Sequence, residues 1–526
     1  MSGPGSVVVI GAGFAGLATA GLLAAAGHRV TVLEQHPVPG GRAGRIEDRG
    51  FRFDTGPSWY LMPDVIDHWF RLMGSSAAAE LDLVRLDPGY RTWFEGSSEP
   101  LDLTAGPRAL EAFDRLSPGA GPALRRYLDD ARESHDLALG HFLYEDFATP
   151  SAFLRPEVLR RAPRLAGLLA GSLEGHVARR FADPRLRQVL GYPAVFLGSS
   201  PARTPALYHL MSHLDLGQGV LYPQGGFAAL VDAMVRLVEG AGVRLVTEAR
   251  ARRILTARRG AARARVTGVQ YDDGAGTVRT IAADTVVAAA DLHHVETALL
   301  PAELRTHPER RWRRRDPGPS AVLAMLGVRG PLPELAHHNL LFTRDWADNF
   351  GRIHAGRPLL PETSMYVCRP SATDPSVAPA GHENLFLLVP APARPDWGRG
   401  GVDGTGDPAV EAVADAAVDQ LAAWAGIKDL RGRITVRHTR GPADFAETLN
   451  AWRGSALGPA HTLAQSAFLR PGNRSRRVDG LHYAGSSVRP GIGVPMCLIS
   501  AEVTARAVMG LAGGGRLPEP AGRAAP

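Results

Sequence analysis

Six residues near the amino terminus, Gly11-Ala12-Gly13-Phe14-Ala15-Gly16, have the types and spacing of a turn that cradles phosphate. Gly11 permits a sharp turn, Gly13 lets a pyrophosphate approach the backbone, and Gly16 lets the next helix pack closely on a sheet. A helix opening at Phe14 and Ala15 offers free N–H groups and a partial positive charge to the phosphates. Glu34 stands where a carboxylate accepts hydrogen bonds from a ribose diol, and its charge would repel the 2′-phosphate of NADP. A glycine-rich turn alone is weak evidence; its setting makes this one specific. Val7–Ile10 is apolar and β-branched throughout, as a buried strand should be. An Ala/Leu-rich helix then runs to about Ala26 before Gly27, and Val30–Leu33 supplies a second strand.

Further segments address the same ligand. Pro39-Gly40-Gly41-Arg42 forms a second turn that can reach the pyrophosphate and bring a guanidinium beside it. Asp54-Thr55-Gly56-Pro57 adds a tight backbone approach at Gly56. Near the other end, strand Leu481–Ala484 runs into Gly485-Ser486-Ser487, then Pro490-Gly491-Ile492-Gly493-Val494-Pro495 and a helix. Glycines there let backbone amides lie against a flat ring, and Pro495 suits a first helical turn. A helix N-terminus opening at Gly493 and Val494 would stabilise negative charge at a flavin's pyrimidine edge. These segments predict FAD, bound non-covalently.

Other chemistries lack their residues. The chain has no GxSxG, no HExxH and no Cys/His cluster in sequence. Cys368 and Cys497 make no CxxC and read as small buried hydrophobes in a reducing cytoplasm. His293-His294 and His337-His338 are adjacent pairs, expected to point apart and to serve as surface or capping residues, so no metal is predicted.

The elements that position these residues fit a chain of 526 residues, 45% hydrophobic and 21% charged, which suggests two to four domains. A net charge of +6 without a long Lys/Arg run argues against nucleic acid. The uncharged run Ser2–Gly27 lacks a positive start and is broken by glycines, so it is not read as a signal or membrane segment. Residues 1–60 are expected to form an FAD-binding βαβ unit, and 61–220 a largely helical substrate and membrane-facing region. Residues 221–300 return to the FAD-binding domain, 301–445 form a substrate domain, and 446–510 complete the cofactor site. The Gly/Pro/Ala-rich tail 511–526 is expected to be disordered.

The blocks Val8-Ile10-Gly11…Glu34…Gly40-Gly41-Arg42 and Pro490–Pro495 resemble the carotenoid desaturase family, the bacterial and fungal phytoene desaturases of the larger FAD-linked amine-oxidase-like fold. Phe196-Leu197-Gly198-Ser199-Ser200-Pro201, Pro205-Ala206-Leu207-Tyr208 and Leu221-Tyr222-Pro223-Gln224-Gly225-Gly226 are similar to blocks of actinobacterial phytoene desaturases. The resemblance spans nearly the whole chain, loosest between about 300 and 450. It departs at Arg489, where many relatives carry His or Thr. It implies an α/β fold: a Rossmann-like FAD-binding domain of the amine-oxidase/GDI-like type with an inserted mixed α+β substrate domain. The implied activity is FAD-dependent desaturation of phytoene towards lycopene. A hydride passes from an allylic C–H to flavin N5, and a proton leaves the neighbouring carbon. An apolar tunnel would hold the polyene, and oxygen or a quinone would reoxidise the flavin. No residue is singled out as proton acceptor. Diapophytoene or a hydroxylated carotenoid remains an alternative substrate. Amine oxidation is disfavoured by the hydrophobic blocks, and a non-enzymatic isoprenoid carrier by the intact Gly11/Gly13/Gly16/Glu34 set.

A polyene lives in a bilayer, so peripheral association of a cytoplasmic protein with the membrane surface is expected. The stretch Ser151–Arg187 carries eight arginines against Glu157, Glu174 and Asp183, with Leu165, Leu168, Leu169 and Leu173 at helical spacing. Arg310-Arg311-Trp312-Arg313-Arg314-Arg315 is a second candidate surface.

Overall fold

Unbroken apolar β-branched residues make the first strand, β1 (Ser6–Ile10), in which Val7 to Ile10 are all buried and neither face needs polar alternation. The computed structural model describes residues 5–147, 153–258 and 263–520. From β1 the chain passes through α1 (Phe14–Ala25) to β2 (Arg29–Leu33). Strands β3 (Tyr90–Phe94) and β4 (Leu101–Leu103) precede helices α2 (Ala120–His141) and α3 (Pro156–Ala170). Then come β5 (Arg244–Val246) and β6 (Thr285–Ala288). Five strands follow: β7 (Ser320–Arg329), β8 (His338–Phe342), β9 (Met365–Cys368), β10 (His382–Ala391) and β11 (Ile434–Arg440). The last elements are β12 (Leu481–Tyr483) and α4 (Val494–Val508).

Two sheets organise the molecule. The first is parallel throughout, in the order β12-β6-β1-β2-β5. It is covered by α1, which packs between β1 and α4 and is buried from Phe14 to Leu23. The second has seven strands in the order β11-β7-β10-β9-β8-β3-β4, antiparallel except for β8 with β3. Its long interior strand β7, next to the edge strand β11, is buried on both faces, and alternate residues serve different cores. Leu323 and Met325 meet the aromatic cluster that holds Tyr90 and Tyr192, while Val322, Ala324 and Leu326 meet Val410, Ala414 and Leu421 of the Pro408–Ala425 helix. The region 61–220, read as largely helical, thus contributes β3 and β4 to the edge of this sheet.

The tail differs from the disorder expected from residue 511. Its Glu519 carboxylate lies 2.7 Å from Nδ1 of buried His68, and the Leu517 N–H donates to Glu502. Arg516 lies over the Tyr144 ring at 5.4 Å. Composition missed this because the partners, His68 and Glu502, come from distant elements. Residues 521–526 lie outside the described residues.

Candidate functional site

The first turn is built as its glycines require. Gly11 has a φ of +100°. A Cβ on Gly16 would sit 1.9 Å from the Gly11 carbonyl oxygen, so the third glycine lets the helix close on its own turn as well as on the sheet. A Cβ on Gly13 would meet only the Gly40 carbonyl, at 3.8 Å, which leaves open space where a phosphate would come. Gly13 caps α1 with no side-chain hydrogen bond, so the first N–H groups of the helix, at Phe14 and Ala15, stay available. Glu34 is buried at the end of β2. Its Oε2 accepts from the Ala12 N–H at 2.7 Å and its Oε1 from the His36 N–H at 3.0 Å. Each oxygen retains a second lone pair for a ribose hydroxyl.

The second turn lies against the first. Gly40 donates its N–H to the Ala12 carbonyl at 3.0 Å, and a Cβ on Gly41 would be 3.4 Å from Gly13 Cα. Arg42 donates Nε–H to the Ala456 carbonyl at 2.8 Å, and its buried Nη2 has no hydrogen-bond partner. A Cβ on Gly56 would be 2.0 Å from the Arg42 carbonyl, so Gly56 lets Asp54–Pro57 press on this turn. Gly485, with a φ of +112°, donates its N–H to Ser500 Oγ at 3.0 Å, and its missing Cβ would be 3.5 Å from Ala15. Gly493, at a φ of +118°, caps α4 without a side-chain hydrogen bond. Gly493 is exposed and Val494, Met496 and Cys497 only half-buried, whereas Leu498–Ala505 are buried, so the first turn of α4 faces open space. Free helix-end N–H groups, an unpartnered buried guanidinium nitrogen and the space at Gly13 fit FAD.

Two residues that sequence reasoning missed hold the loop Ser486–Gly493. Buried Arg470 donates to the carbonyls of Gln465, Pro459, Val488 and Ser486, and burial lowers its pKa to about 10. Buried His461 accepts the Ile492 N–H on Nε2 at 3.2 Å, and its Nδ1 lies 2.8 Å from Tyr208 Oη. Neither sits in a motif, and each acts through backbone atoms that have no sequence signature.

Between the phosphate turns and the seven-stranded sheet lies an aromatic box. Trp59 stacks on His338 with ring centroids 4.5 Å apart and meets Tyr90, Tyr192, Phe196 and Tyr366 at 5.2–6.2 Å. Tyr366 Oη lies 2.6 Å from Ser58 Oγ and 2.7 Å from His338 Nδ1. The pair His337-His338 therefore corrects the surface reading. Both rings are buried, and their centroids are 4.6 Å apart, not splayed. His338 opens β8, an interior strand of a sheet packed on both faces, and His337 precedes the strand, outside its alternation. The donor atoms of His337, His338 and Cys368 lie within 4.8 Å of one another. Burial holds both imidazoles neutral and pushes the Cys368 thiol up to about 12, so the group is uncharged. His293 and His294 sit in a helical first turn capped by Asp291.

A cavity of about 1020 Å³ is bordered by Arg203, Arg313–Arg315, Trp346 and Arg453, and Trp346 packs on Phe342, which meets Tyr192 of the box. Eight arginines and two carboxylates border it together with apolar side chains that include Val177, Trp346, Phe350 and Ile353.

The expected membrane helix also faces differently. Ser151 lies outside the described residues, and the stretch resolves into α3 and two shorter helices. Leu168 and Leu173 are buried and Leu165 and Leu169 half-buried, so the leucine stripe packs inward. Arg161 and Arg164 pair with Glu133, and Arg180 with Asp130, both acids on α2. Trp312, the aromatic of the second basic run, is buried 5.0 Å from Trp452. Leu154 and Leu159 are instead exposed by 65% and 53%, with Leu463, Phe468 and Leu469. These five account for half of the ten large apolar side chains the described residues expose. Ring contacts of Phe153 with Phe147 and Phe468 join the two segments, and Arg489 donates to the carbonyls of Asp146 and Phe468. Among the described residues no helix is long and apolar enough to cross a membrane.

Comparison with known proteins accords with this geometry. The family profile described as flavin containing amine oxidoreductase matches residues 14–509. A carotenoid 3,4-desaturase of Haloarcula japonica is 42% identical over 96% of this chain and 98% of its own. A zeta-carotene-forming phytoene desaturase of Myxococcus xanthus is 35% identical, covering 96% and 93%, and a phytoene dehydrogenase of Streptomyces griseus is 34% identical, covering 96% and 95%. Among solved structures, cyclohexylamine oxidase from Brevibacterium oxydans shares the fold, with a TM-score of 0.57 at 15% identity over 96% of this chain and 98% of that one. The chain belongs to the flavin-containing amine oxidoreductases and, among them, to the carotenoid desaturase family of FAD-dependent oxidoreductases.

Proposed function

We propose that the protein desaturates a carotenoid hydrocarbon, phytoene towards lycopene, at the aromatic box beside Gly56. The observation that carries this reading is the box itself. Trp59, Tyr90, Tyr192, Phe196 and Tyr366 pack ring against ring directly after the segment Gly56-Pro57-Ser58. Bound FAD supplies the two-electron acceptor for the hydride. The chain's own residues do the rest. Phe14 and Ala15 N–H groups and Arg42 would hold the pyrophosphate, Glu34 would hold the ribose, and the helix end at Gly493–Val494 would stabilise negative charge on the reduced flavin. The box excludes water and fixes the alkyl chain in register.

A second reading is favoured by the 42% identity to the 3,4-desaturase, against 35% and 34% for the phytoene enzymes. In it, the new double bond lies at the 3,4 position near the end of an already conjugated chain. We also place the protein at the cytoplasmic membrane face, docked through Leu154, Leu159 and Phe468, with oxygen or a quinone reoxidising the flavin. Expression in cells that accumulate phytoene, followed by pigment chromatography, tests these readings. Coloured polyenes are expected from phytoene. Unchanged phytoene, with red-shifted products only in lycopene-producing cells, would select the 3,4 reading, and no change in either host would reject both.

A further inference from the structure

Most of the arginines around the cavity of about 1020 Å³ have nothing to neutralise them. Of the eight, Arg203 pairs with Asp316 at 2.6 Å, Arg394 pairs with Asp396 at 2.5 Å, and Arg187 donates Nε–H to the Phe181 carbonyl at 2.7 Å. Among the described residues, the side chains of Arg313, Arg314, Arg315, Arg344 and Arg453 have no ion pair and no hydrogen bond. Glu174, the second lining acid, offsets one of these charges at most. Arg315 Nη1 is buried without a partner, and burial together with Arg311 pulls its pKa down. Arg315 lies over Trp312 at 5.3 Å and Arg453 over Trp452 at 5.5 Å, and the two indoles are 5.0 Å apart. Two distant segments thus bring their cations together. Like charges gathered in a concave site repel one another and focus a positive potential, which an entering anion relieves. The same cavity has an apolar wall. Helix Trp346–Ala355 contributes Trp346, Phe350 and Ile353 at helical spacing, and the Trp346 ring lies 5.5 Å from Phe350.

We propose that this cavity binds an anionic amphiphile, with a phosphate group held by Arg313, Arg314, Arg315 and Arg453 and an alkyl chain laid on Trp346, Phe350 and Ile353. The proposal goes beyond the desaturation and holds whichever hydrocarbon the aromatic box takes. A plain hydrocarbon would leave five guanidiniums without a counter-charge, and a bare phosphate would leave the apolar wall wet. Guanidinium matches phosphate because its planar fork meets two oxygens at once. Pockets for organic ligands span about 300–1,000 Å³, so the volume suits a headgroup with its chain and exceeds the need of a small ion. The run Arg310–Arg315 then serves as a cavity wall through Arg313–Arg315, while its Trp312 is buried in the fold. The phosphate can come from the headgroup of a membrane lipid or from a soluble phosphorylated amphiphile, and both present the same chemistry to these arginines.

The test titrates the full-length, FAD-loaded protein calorimetrically with three probes: dihexanoyl phosphatidic acid as monomer, dihexanoyl phosphatidylcholine and inorganic phosphate. Phosphatidic acid should bind about tenfold tighter than either of the others, or more. Arg313→Gln with Arg314→Gln, at two exposed and unpaired positions, should weaken phosphatidic acid about tenfold, and Arg453→Gln should do the same. Phe350→Ala should weaken phosphatidic acid and leave inorganic phosphate unchanged. Arg161→Gln with Arg164→Gln, outside the cavity, should change neither. Equal affinity for phosphatidic acid and phosphatidylcholine overturns the assignment. So does wild-type binding of phosphatidic acid in both arginine variants, or inorganic phosphate binding as tightly as phosphatidic acid. Should Phe350→Ala not fold, the comparison of the three probes on the wild type still decides. Co-sedimentation with phosphatidylcholine vesicles, with and without phosphatidic acid, separates the two sources. Weakened binding of the arginine variants to the acidic vesicles alone supports a lipid headgroup. Wild-type vesicle binding by variants that have lost the monomer supports a soluble amphiphile.

Discussion

His461 Nε2 accepts the main-chain N–H of Ile492 at 3.2 Å, so a neutral imidazole pins the loop that leads to Gly493, proposed to meet the cofactor. Nδ1 must then carry the proton and donate it to Tyr208 Oη, 2.8 Å away. His461→Leu would leave a buried N–H unpaired, at about 1–3 kcal/mol. FAD affinity should fall about tenfold, read by flavin fluorescence on dilution. His461→Gln, which can present an acceptor oxygen, should recover part of it. Equal loss in both variants would mean that the ring is needed only for packing.

Gly13 and Gly16 should separate cofactor binding from folding. A Cβ on Gly16 collides with the Gly11 carbonyl at 1.9 Å, so Gly16→Ala should lower the melting temperature of the cofactor-free protein. Gly13→Val places its side chain in the open space, so the cofactor-free melting temperature should stay near wild type while FAD is lost. A Gly13→Val protein with full flavin absorbance would move the phosphates elsewhere.

Glu34→Ala should have two effects. Ribose contacts vanish, each charge-assisted bond contributing about 1.5–3 kcal/mol, and FAD affinity should drop about ten- to a hundredfold. The Ala12 and His36 N–H groups also lose their acceptor, so the cofactor-free protein should melt earlier. The product pattern at saturating FAD should not change.

Acid should destabilise the fold from about pH 6.5 downward. Burial pushes His176, His307 and His337 down to about 3 and His482 to about 4, with His338 and His461 also well below their usual value. Between about pH 6.5 and 4 the unfolded chain takes up protons at these sites and the folded chain does not, so stability falls with pH. Asp54 and Asp215, raised by burial to about 6, Glu296, also raised by burial, and His68, raised against burial by its bonds to Glu502 and Glu519, act with the opposite sign, but these four oppose six imidazoles. Calorimetric midpoints should fall from pH 7 to pH 5. A rise would mean that these rings open to water.

Vesicle binding should follow the exposed apolar patch. Leu154→Glu with Phe468→Glu should reduce co-sedimentation with anionic vesicles severalfold. Arg161→Glu with Arg164→Glu, which removes two exposed pairs to Glu133, should cost about 1 kcal/mol or less each in stability and leave vesicle binding near wild type. Loss of binding only in the arginine variant would restore the basic face as the docking surface.

The tight turns of the proposed cofactor segments were legible because each is contiguous: Gly11–Gly16, Gly40–Arg42 and Gly491–Pro495 carry their backbone geometry in their own spacing. What escaped is defined by contacts across the chain. Arg470 serves carbonyls at Pro459 and Ser486, and His461 serves Ile492. The leucine period in α3 identified a face but not what covers it, and the structure covers it with protein. His337-His338 misled because alternation sends neighbours to opposite sides only within a strand, and only one of the pair lies in β8.

The parallel sheet places β1 between β2 and β6, and β6 beside β12, so its third and final neighbours arrive some hundreds of residues after its first. A chain emerging from the ribosome therefore carries Gly11–Gly16 long before Gly485–Val494, the segment proposed to close the other side of the cofactor pocket. Capture of FAD must wait until nearly the whole chain has been synthesised. During that interval the half-built sheet exposes unpaired edges and apolar surface, a hazard for aggregation. Supply of the flavin in the growing cell should then govern how much of the newly made protein escapes degradation.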